Sequence, residues 1–401
     1  MIDAMHRPGA MTSFRSDGNS GGLWGSVELI ARPTVYIDHV KIFTRIGVKK
    51  DWLGDRRDKP DGSALVSVDV TVHNTTGEVV KTDLRLRVEP HNFNGANGHE
   101  RSRPLVLQPG RTTHKLVLTV PDATLWWTWD HGDPNLYTAV VGVHEDDIRQ
   151  TFGIKEVLHE EETGQWYLNG RRIFLRGMLM IGYCWDGDTD LNRIALEPNI
   201  VEFGAGSIPV LETLKTFVPP DELWPPDWDT WELNGFFYNL AFGFAKVQIK
   251  DSLEEFIESY QRYEALVVKE QIEYLRQRKY RPVTSMYHYY WSDPCPIMGS
   301  GLLDYYRRPY EVYQAVKAVY AGVLISLERE ASPYVIGREK LYKPGGSFRA
   351  RVWVTNDHAQ PIDDARVFWQ ILRLDTDETM CGNGLTAMLP ADTAEQLDRI
   401  V

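Results

Sequence analysis

The sequence predicts a multidomain α+β protein in which immunoglobulin-like β-sandwiches flank a truncated (β/α)8 (TIM) barrel remnant. Three observations predict this. Apolar and polar residues alternate at short spacing from about Val27 to Ile154 and again after Gly322, with turn residues between the runs. The middle of the chain changes period and carries a long amphipathic helical pattern beside apolar runs. Within it, Pro198-Asn-Ile-Val-Glu-Phe-Gly-Ala-Gly-Ser207 places the carboxylate of Glu202 inside a short apolar run followed by glycines, like a late strand of a catalytic barrel. Burying a carboxylate without a partner costs several kcal/mol, so Glu202 is either half of a strong ion pair, with Arg176 or Arg193, or a catalytic group.

The first β region alternates over Val35–Phe43, Ala64–His73, Lys81–Val88 and Thr113–Val120, with closing strands at Tyr137–Val143 and Arg149–Ile154. Asp55–Gly62 reads as a charged loop. At ~125 residues the region suits one sandwich. The period then changes: Asn169-Gly170 is a two-residue hairpin signal leading into an apolar strand at Ile173–Met180. Ser252–Lys279 reads as a helix capped by Asp251 or Ser252 and ended before Pro282. Val283–Trp291 is another strand, and Pro309–Tyr320 a second helix with proline near its first turn. Val323–Leu327, Ser347–Thr355 and Asp364–Leu372 return to strand alternation, with turns at Lys343–Gly346 and Asn356-Asp357. Some 80 residues, on the order of two thirds of a sandwich, lead to the expectation that its last strands are missing.

The chain of 401 residues can bury substantial cores. A net charge of -12 argues against a phosphate-binding surface, so no nucleic-acid partner is expected. Cys184, Cys295 and Cys381 fit no disulfide framework or zinc pattern and are expected to be free thiols; neither metal nor cofactor is expected. Met1–Ser20 has no apolar core of a signal peptide and no stretch reaches the length of a membrane span, so a cytoplasmic protein with no membrane contact is expected. There are 13 Trp and 19 Tyr, clustered at Trp126–Trp129, Trp224–Trp231 and Tyr287–Trp291. Such clusters either line a sugar cleft, ring faces against pyranose C–H groups, or pack a core.

Several segments resemble glycoside hydrolase family 2, the β-mannosidase branch in particular. They are Gly21–Val27, Leu125-Trp-Trp-Thr-Trp-Asp-His-Gly-Asp-Pro-Asn-Leu-Tyr137, Trp166–Gly177, Val201–Pro209, Leu223–Pro226, Trp291–Asp293 and Leu303–Pro309, in the family's order. The resemblance divides the chain into a jelly-roll remnant (1–26), an immunoglobulin-like sandwich (27–154), an incomplete barrel (155–321) and a C-terminal sandwich (322–401). It implies retaining hydrolysis of terminal β-D-mannosides or related β-glycosides. Glu202 takes the place of the nucleophile, and Trp291, Asp293, Trp224 and Trp228 the place of the sugar subsite. The departures are equally specific. A (β/α)8 barrel needs about 200 residues or more, whereas fewer than 150 lie between Ile173 and Tyr320. Strands 2 to 6 have no counterpart, and the Asn-Glu pair that carries the family's acid/base occurs nowhere in the chain.

Retaining hydrolysis uses two carboxyl groups about 5–5.5 Å apart. Glu202 supplies one. Asp186, Asp188, Asp190 and Glu197 are the nearest substitutes for the other, in an acidic Gly-containing run that reads as a solvated loop and lacks the twelfth-position Glu of a calcium loop. His288, in an aromatic strand, faces either the cleft or the core. The expected product is a weak or inactive β-mannosidase-like hydrolase. A non-catalytic carbohydrate-binding scaffold, or one part of a split glycosidase, is the rival. Exposed barrel edges would be covered by self-association or by a complementing polypeptide.

Overall fold

The computed structural model describes residues 30–48, 60–95, 97–179, 199–244, 247–329, 346–373 and 375–400. They divide into two compact units: one runs through Glu161 and takes in Trp166–Ile173, and the other holds Glu162–Gln165 and everything from Phe174 onward.

The first unit contains β1 (Val35–Val48), β2 (Pro60–Asn74), β3 (Val80–Pro90), β4 (His99–Leu107), β5 (Gly110–Val120), β6 (Tyr137–Val143) and β7 (Asp146–Phe152). Two sheets form, in the orders β1-β2-β5 and β4-β3-β6-β7, with antiparallel neighbours throughout. The alternation read from the sequence has a simple cause. Val66, Val68 and Val70 of β2 and Leu84, Leu86 and Val88 of β3 all point into one core, joined by Leu116, Leu118, Ala139 and Val141. Burying each such valine or leucine is worth about 1.5–3 kcal/mol. Strand β4 was not anticipated, because its His-Glu-Arg-Ser-Arg-Pro start looks like a loop. It lies at a sheet edge, where Pro104 costs no ladder hydrogen bond.

Three short strands follow, β8 (Val157–Glu160), β9 (Gln165–Leu168) and β10 (Arg171–Ile173), in the order β10-β9-β8. The two-residue turn between β9 and β10 puts Asn169 at φ 53° and Gly170 at φ 79°, the left-handed pair such a turn requires. Asn169 also donates from Nδ2 to Trp126 O at 2.8 Å and accepts the Glu156 N–H at 3.0 Å.

In the second unit β11 (Leu175–Leu179), β12 (Asn199–Phe203) and β13 (Ser285–Tyr289) form a parallel sheet in the order β11-β13-β12. The strand expected from Ile173 to Met180 is split at Phe174 between β10 and β11. Between β12 and β13 come α1 (Leu211–Leu214), α2 (Pro220–Leu223), α3 (Trp228–Leu233), a π-helical turn at Asn239–Phe244 and the long α4 (Leu253–Gln277). The first three are too short to leave a periodic signal. The Ser252 Oγ accepts the Glu255 N–H at 3.2 Å, so the cap expected from the sequence forms. After β13 comes α5 (Glu311–Val319), whose Val312 and Val316 share a core with Val268 and Ile272 of α4 and Met286 of β13. The described residues thus hold this three-stranded parallel sheet with its helices and no closed barrel.

The chain closes with β14 (Val323–Arg329), β15 (Ala350–Asn356), β16 (Ile362–Leu372), β17 (Thr379–Leu389) and β18 (Thr393–Ile400). An antiparallel sheet β14-β15-β18 and a β16-β17 hairpin share a core of Val352, Val354, Val367, Leu389 and Ile400. Two strands therefore follow the last one anticipated. Strand β17 escapes notice because Gly382-Asn-Gly384 reads as a turn, yet Gly384 lies under the Phe368 ring, where a Cβ would collide. The architecture as a whole is mostly β and multidomain. No helix among the described residues is long and apolar enough to cross a membrane.

Candidate active site

Because β11, β12 and β13 are parallel, their C-terminal ends gather on one side, at Leu179, Phe203 and Tyr289. Glu202 is the penultimate residue of β12. Ile200 pairs with Met286 and Phe203 with His288, so the register shifts at Val201-Glu202. Such irregularities re-aim side chains beside functional sites. The Glu202 side chain lies outside the described residues, as do Cys184, Asp186, Asp188, Asp190, Arg193, Glu197, the Gly21–Val27 junction, residues 55–59 of the expected loop and residues 343–345 of the expected turn.

Beyond Phe203 the chain crosses the end of β13. A Cβ on Gly204 would sit 2.9 Å from Tyr289 O and 3.4 Å from His288 Nε2, so the crossing needs glycine for space. His288 is fully buried and meets Phe203 edge-on at 5.7 Å. Burial lowers its pKa to about 4, so the ring is neutral. Neither ring nitrogen reaches full hydrogen-bond geometry with a partner among the described residues.

Asp293, just past β13, is 1% exposed. Its Oδ2 accepts the Tyr310 hydroxyl at 2.5 Å and its Oδ1 the Gly301 N–H at 3.1 Å. Gly299 and Gly301 wrap it so closely that a Cβ on either would strike its carboxylate. Burial pushes its pKa up to about 7 against these hydrogen bonds. Asp293 therefore holds a turn, whatever else it touches. Asp304, in the next loop, accepts from Thr213 Oγ1 at 2.5 Å and the Arg308 N–H at 2.8 Å, tying that loop to α1.

Trp291 is half-buried and packs edge-on against Tyr313 of α5. Trp228 is surrounded by Trp231, Phe236, Tyr238, Phe242 and Phe256, and Trp224 meets Phe256 at 5.7 Å. Packing is thus what the aromatics of Trp224–Trp231 do in this unit. In the tryptophan-rich stretch, Trp126 lies under Lys155 Nζ at 4.1 Å and Trp127 under the Arg171 guanidinium at 4.4 Å, while Trp129 is 78% exposed.

Two buried groups of this unit carry no motif and were missed. Glu264 of α4 is fully buried beside Ser207, Asp293 and Glu311, and neither carboxyl oxygen meets full hydrogen-bond geometry. Burial first, then the neighbouring acids, raises its pKa well above the carboxylate range. Asp357, expected only as a turn residue, accepts Arg276 Nη2 at 2.7 Å, Lys279 Nζ at 2.8 Å and Arg176 Nη1 at 3.0 Å. Burial opposes its charge, but the three cations hold its pKa below the usual value. An Asp inside a turn signal gives no hint of three distant cations.

Residues 55–155 match the sequence model of Glycosyl hydrolases family 2. An exo-beta-D-glucosaminidase of Arthroderma benhamiae is 25% identical over 173 residues, 40% of this chain and 18% of that protein. Among solved structures, the beta-D-mannosidase from Dictyoglomus thermophilum superposes with a TM-score of 0.65 at 14% identity, covering 89% of this chain and 62% of that one. The exo-chitosanase CsxA of Amycolatopsis orientalis gives 0.63 at 12% identity, over 90% of this chain and 60% of its own. The chain spans less than two thirds of each of these proteins, and at such identities the structural likeness is one of fold. The family match in sequence thus rests on residues 55–155, and the rest of the chain resembles the family's solved members in fold.

Proposed function

We propose that the chain is a β-mannosidase-type glycosidase of family 2 whose catalytic domain, 155–321, is an incomplete (β/α)8 barrel that follows one immunoglobulin-like sandwich, 27–154, in sequence and precedes another, 322–401. The strand order β11-β13-β12 carries the proposal. In a closed barrel the last strand pairs with both the first and the penultimate, and here the last parallel strand lies between the earliest and the one bearing Glu202. Glu202 then stands at a C-terminal strand end, where barrel enzymes place their chemistry. Its role is that of nucleophile toward a terminal β-D-mannoside or related β-glycoside. Tyr289, half-buried at the end of β13, is the aromatic placed beside it for a sugar face, with Trp291 behind it against α5.

A β-D-glucosaminide is the second substrate, supported by the exo-beta-D-glucosaminidase match and by the net charge of -12, which suits a cationic sugar. Without the family's Asn-Glu pair the leaving group lacks its proton donor, a loss of roughly 10²–10⁴-fold. The test is hydrolysis of aryl β-D-mannoside and aryl β-D-glucosaminide by the chain and by Glu202→Gln. Turnover is expected to be weak, confined to activated leaving groups, and abolished by the substitution. Turnover that survives Glu202→Gln removes the nucleophile assignment. Vigorous cleavage of natural mannosides shows that another group serves as the acid.

A further inference from the structure

The outward face of the sheet β4-β3-β6-β7 carries a groove of about 510 Å³, set in the first unit. Its floor follows from the register. Arg85 lies between Ser102 of β4 and Gly142 of β6, with Asp147 of β7 next in the same row. Arg87, two residues on, lies between Glu100 and Val140. Arg101, opposite the core residue Leu86, alternates to the other face, and its Nη1 donates to Val117 O of β5 at 2.6 Å.

Gly142 matters to this arrangement. A Cβ there would come within 3.1 Å of Arg85 Nε and Nη2, so glycine leaves room for the guanidinium to lie across β6, where Nη2 donates to His144 O at 3.2 Å. A guanidinium has five N–H donors, so this contact fixes the Arg85 head group and leaves donors for a ligand. Arg87 reaches Glu89 at 3.4 Å, with both side chains well exposed. Charged residues on an outward sheet face are ordinary. Here Arg85 and Arg87 stand side by side in one concavity, with Glu100 and Asp147 in the same lining.

We propose that this groove binds an acidic saccharide, a uronate-containing oligosaccharide. Planar guanidinium forks match a carboxylate. Glu100 and Asp147, in the same lining, accept hydrogen bonds from hydroxyls. A ligand bearing negative charge alone, such as a polyphosphate, meets those two carboxylates as repulsion. A sugar acid supplies both partners.

The test is calorimetric titration of the full chain with tri-galacturonic acid, and with maltotriose as a neutral trisaccharide, at low salt. Binding of the acidic trisaccharide alone is expected, weakened at least tenfold by Arg85→Ala or Arg87→Ala with thermal melts unchanged. Gly142→Ala keeps every charge but crowds Arg85, and is expected to weaken binding as well. Glu202→Gln leaves it unaltered, which separates this groove from the hydrolytic site. Absence of binding at millimolar ligand, equal binding of maltotriose, equal competition by inorganic polyphosphate, or indifference to both arginine substitutions overturns the proposal.

Discussion

Two buried carboxyl environments in the second unit behave oppositely. Asp357 is 3% exposed and stays charged, because Arg276, Lys279 and Arg176 converge on it. Glu264 and Asp293 are buried at least as deeply among tyrosines and other acids, with Tyr310 the firmest donor, and both are pushed toward the neutral form. Burial alone therefore does not set the state of a carboxyl. The count and sign of its partners do. The lesson applies to Glu202, whose role depends on what faces it.

The largest expected effect comes from breaking the first environment. Asp357→Ala leaves Arg276 buried without its carboxylate partner and Lys279 with Asp392 alone, and should cost about 3–5 kcal/mol in urea unfolding. A cost below about 1 kcal/mol would mean that water reaches the cluster.

The next effect is in pH. The folded pKa of Asp293, about 7, lies above its ordinary value of 3.8, so its contribution to stability is full below that ordinary value and is lost as pH rises toward 7. Glu264 acts in the same direction. Asp357 has a folded pKa below its ordinary value, so its contribution is present above that value and is lost as pH falls beneath it. Thermal melts should thus show stability falling from pH 5 to pH 8 and falling again in strong acid. Glu264→Gln should flatten the alkaline limb and leave the acid limb in place. An unchanged alkaline limb in both Glu264→Gln and Asp293→Asn would show that the buried acids are not its source.

Smaller still, Asp293→Asn keeps an acceptor for the Gly301 N–H and offers its amide N–H to the Tyr310 hydroxyl oxygen, and should shift stability at pH 5 by no more than about 1 kcal/mol. Smallest is Lys115→Ala. It removes a surface ion pair with Asp69 at 3.8 Å and should cost under about 1 kcal/mol, because water replaces the partner. A chemical denaturation series ranks all three environments.

Much of the fold was legible because its periods are local. Val66 to Val72 and Leu84 to Val88 alternate, since every second side chain enters the core. The Asn169-Gly170 turn and the Ser252 cap were legible for the same reason: both are satisfied within a few residues. Strand β4 was hidden by Pro104 at a sheet edge, and β17 by glycines that clear room for Phe368. Of the candidate site, Glu202 was legible as a carboxylate in an apolar run. Trp228 was ambiguous, since a tryptophan-rich segment looks the same whether it lines a cleft or packs around Phe256.

The sequence by itself determined the alternating strands, the helix limits, the family resemblance and the place of Glu202 at the end of an apolar run, all of which depend on neighbours along the chain. Only the tertiary structure decided that the strand bearing Glu202 pairs with the last parallel strand, that Asp357 gathers three cations, and that Glu264 lies beside Ser207 and two other acids. Those pairings join residues up to 181 positions apart, as between Arg176 and Asp357. Their energies depend on distance and burial in space, which no local pattern encodes.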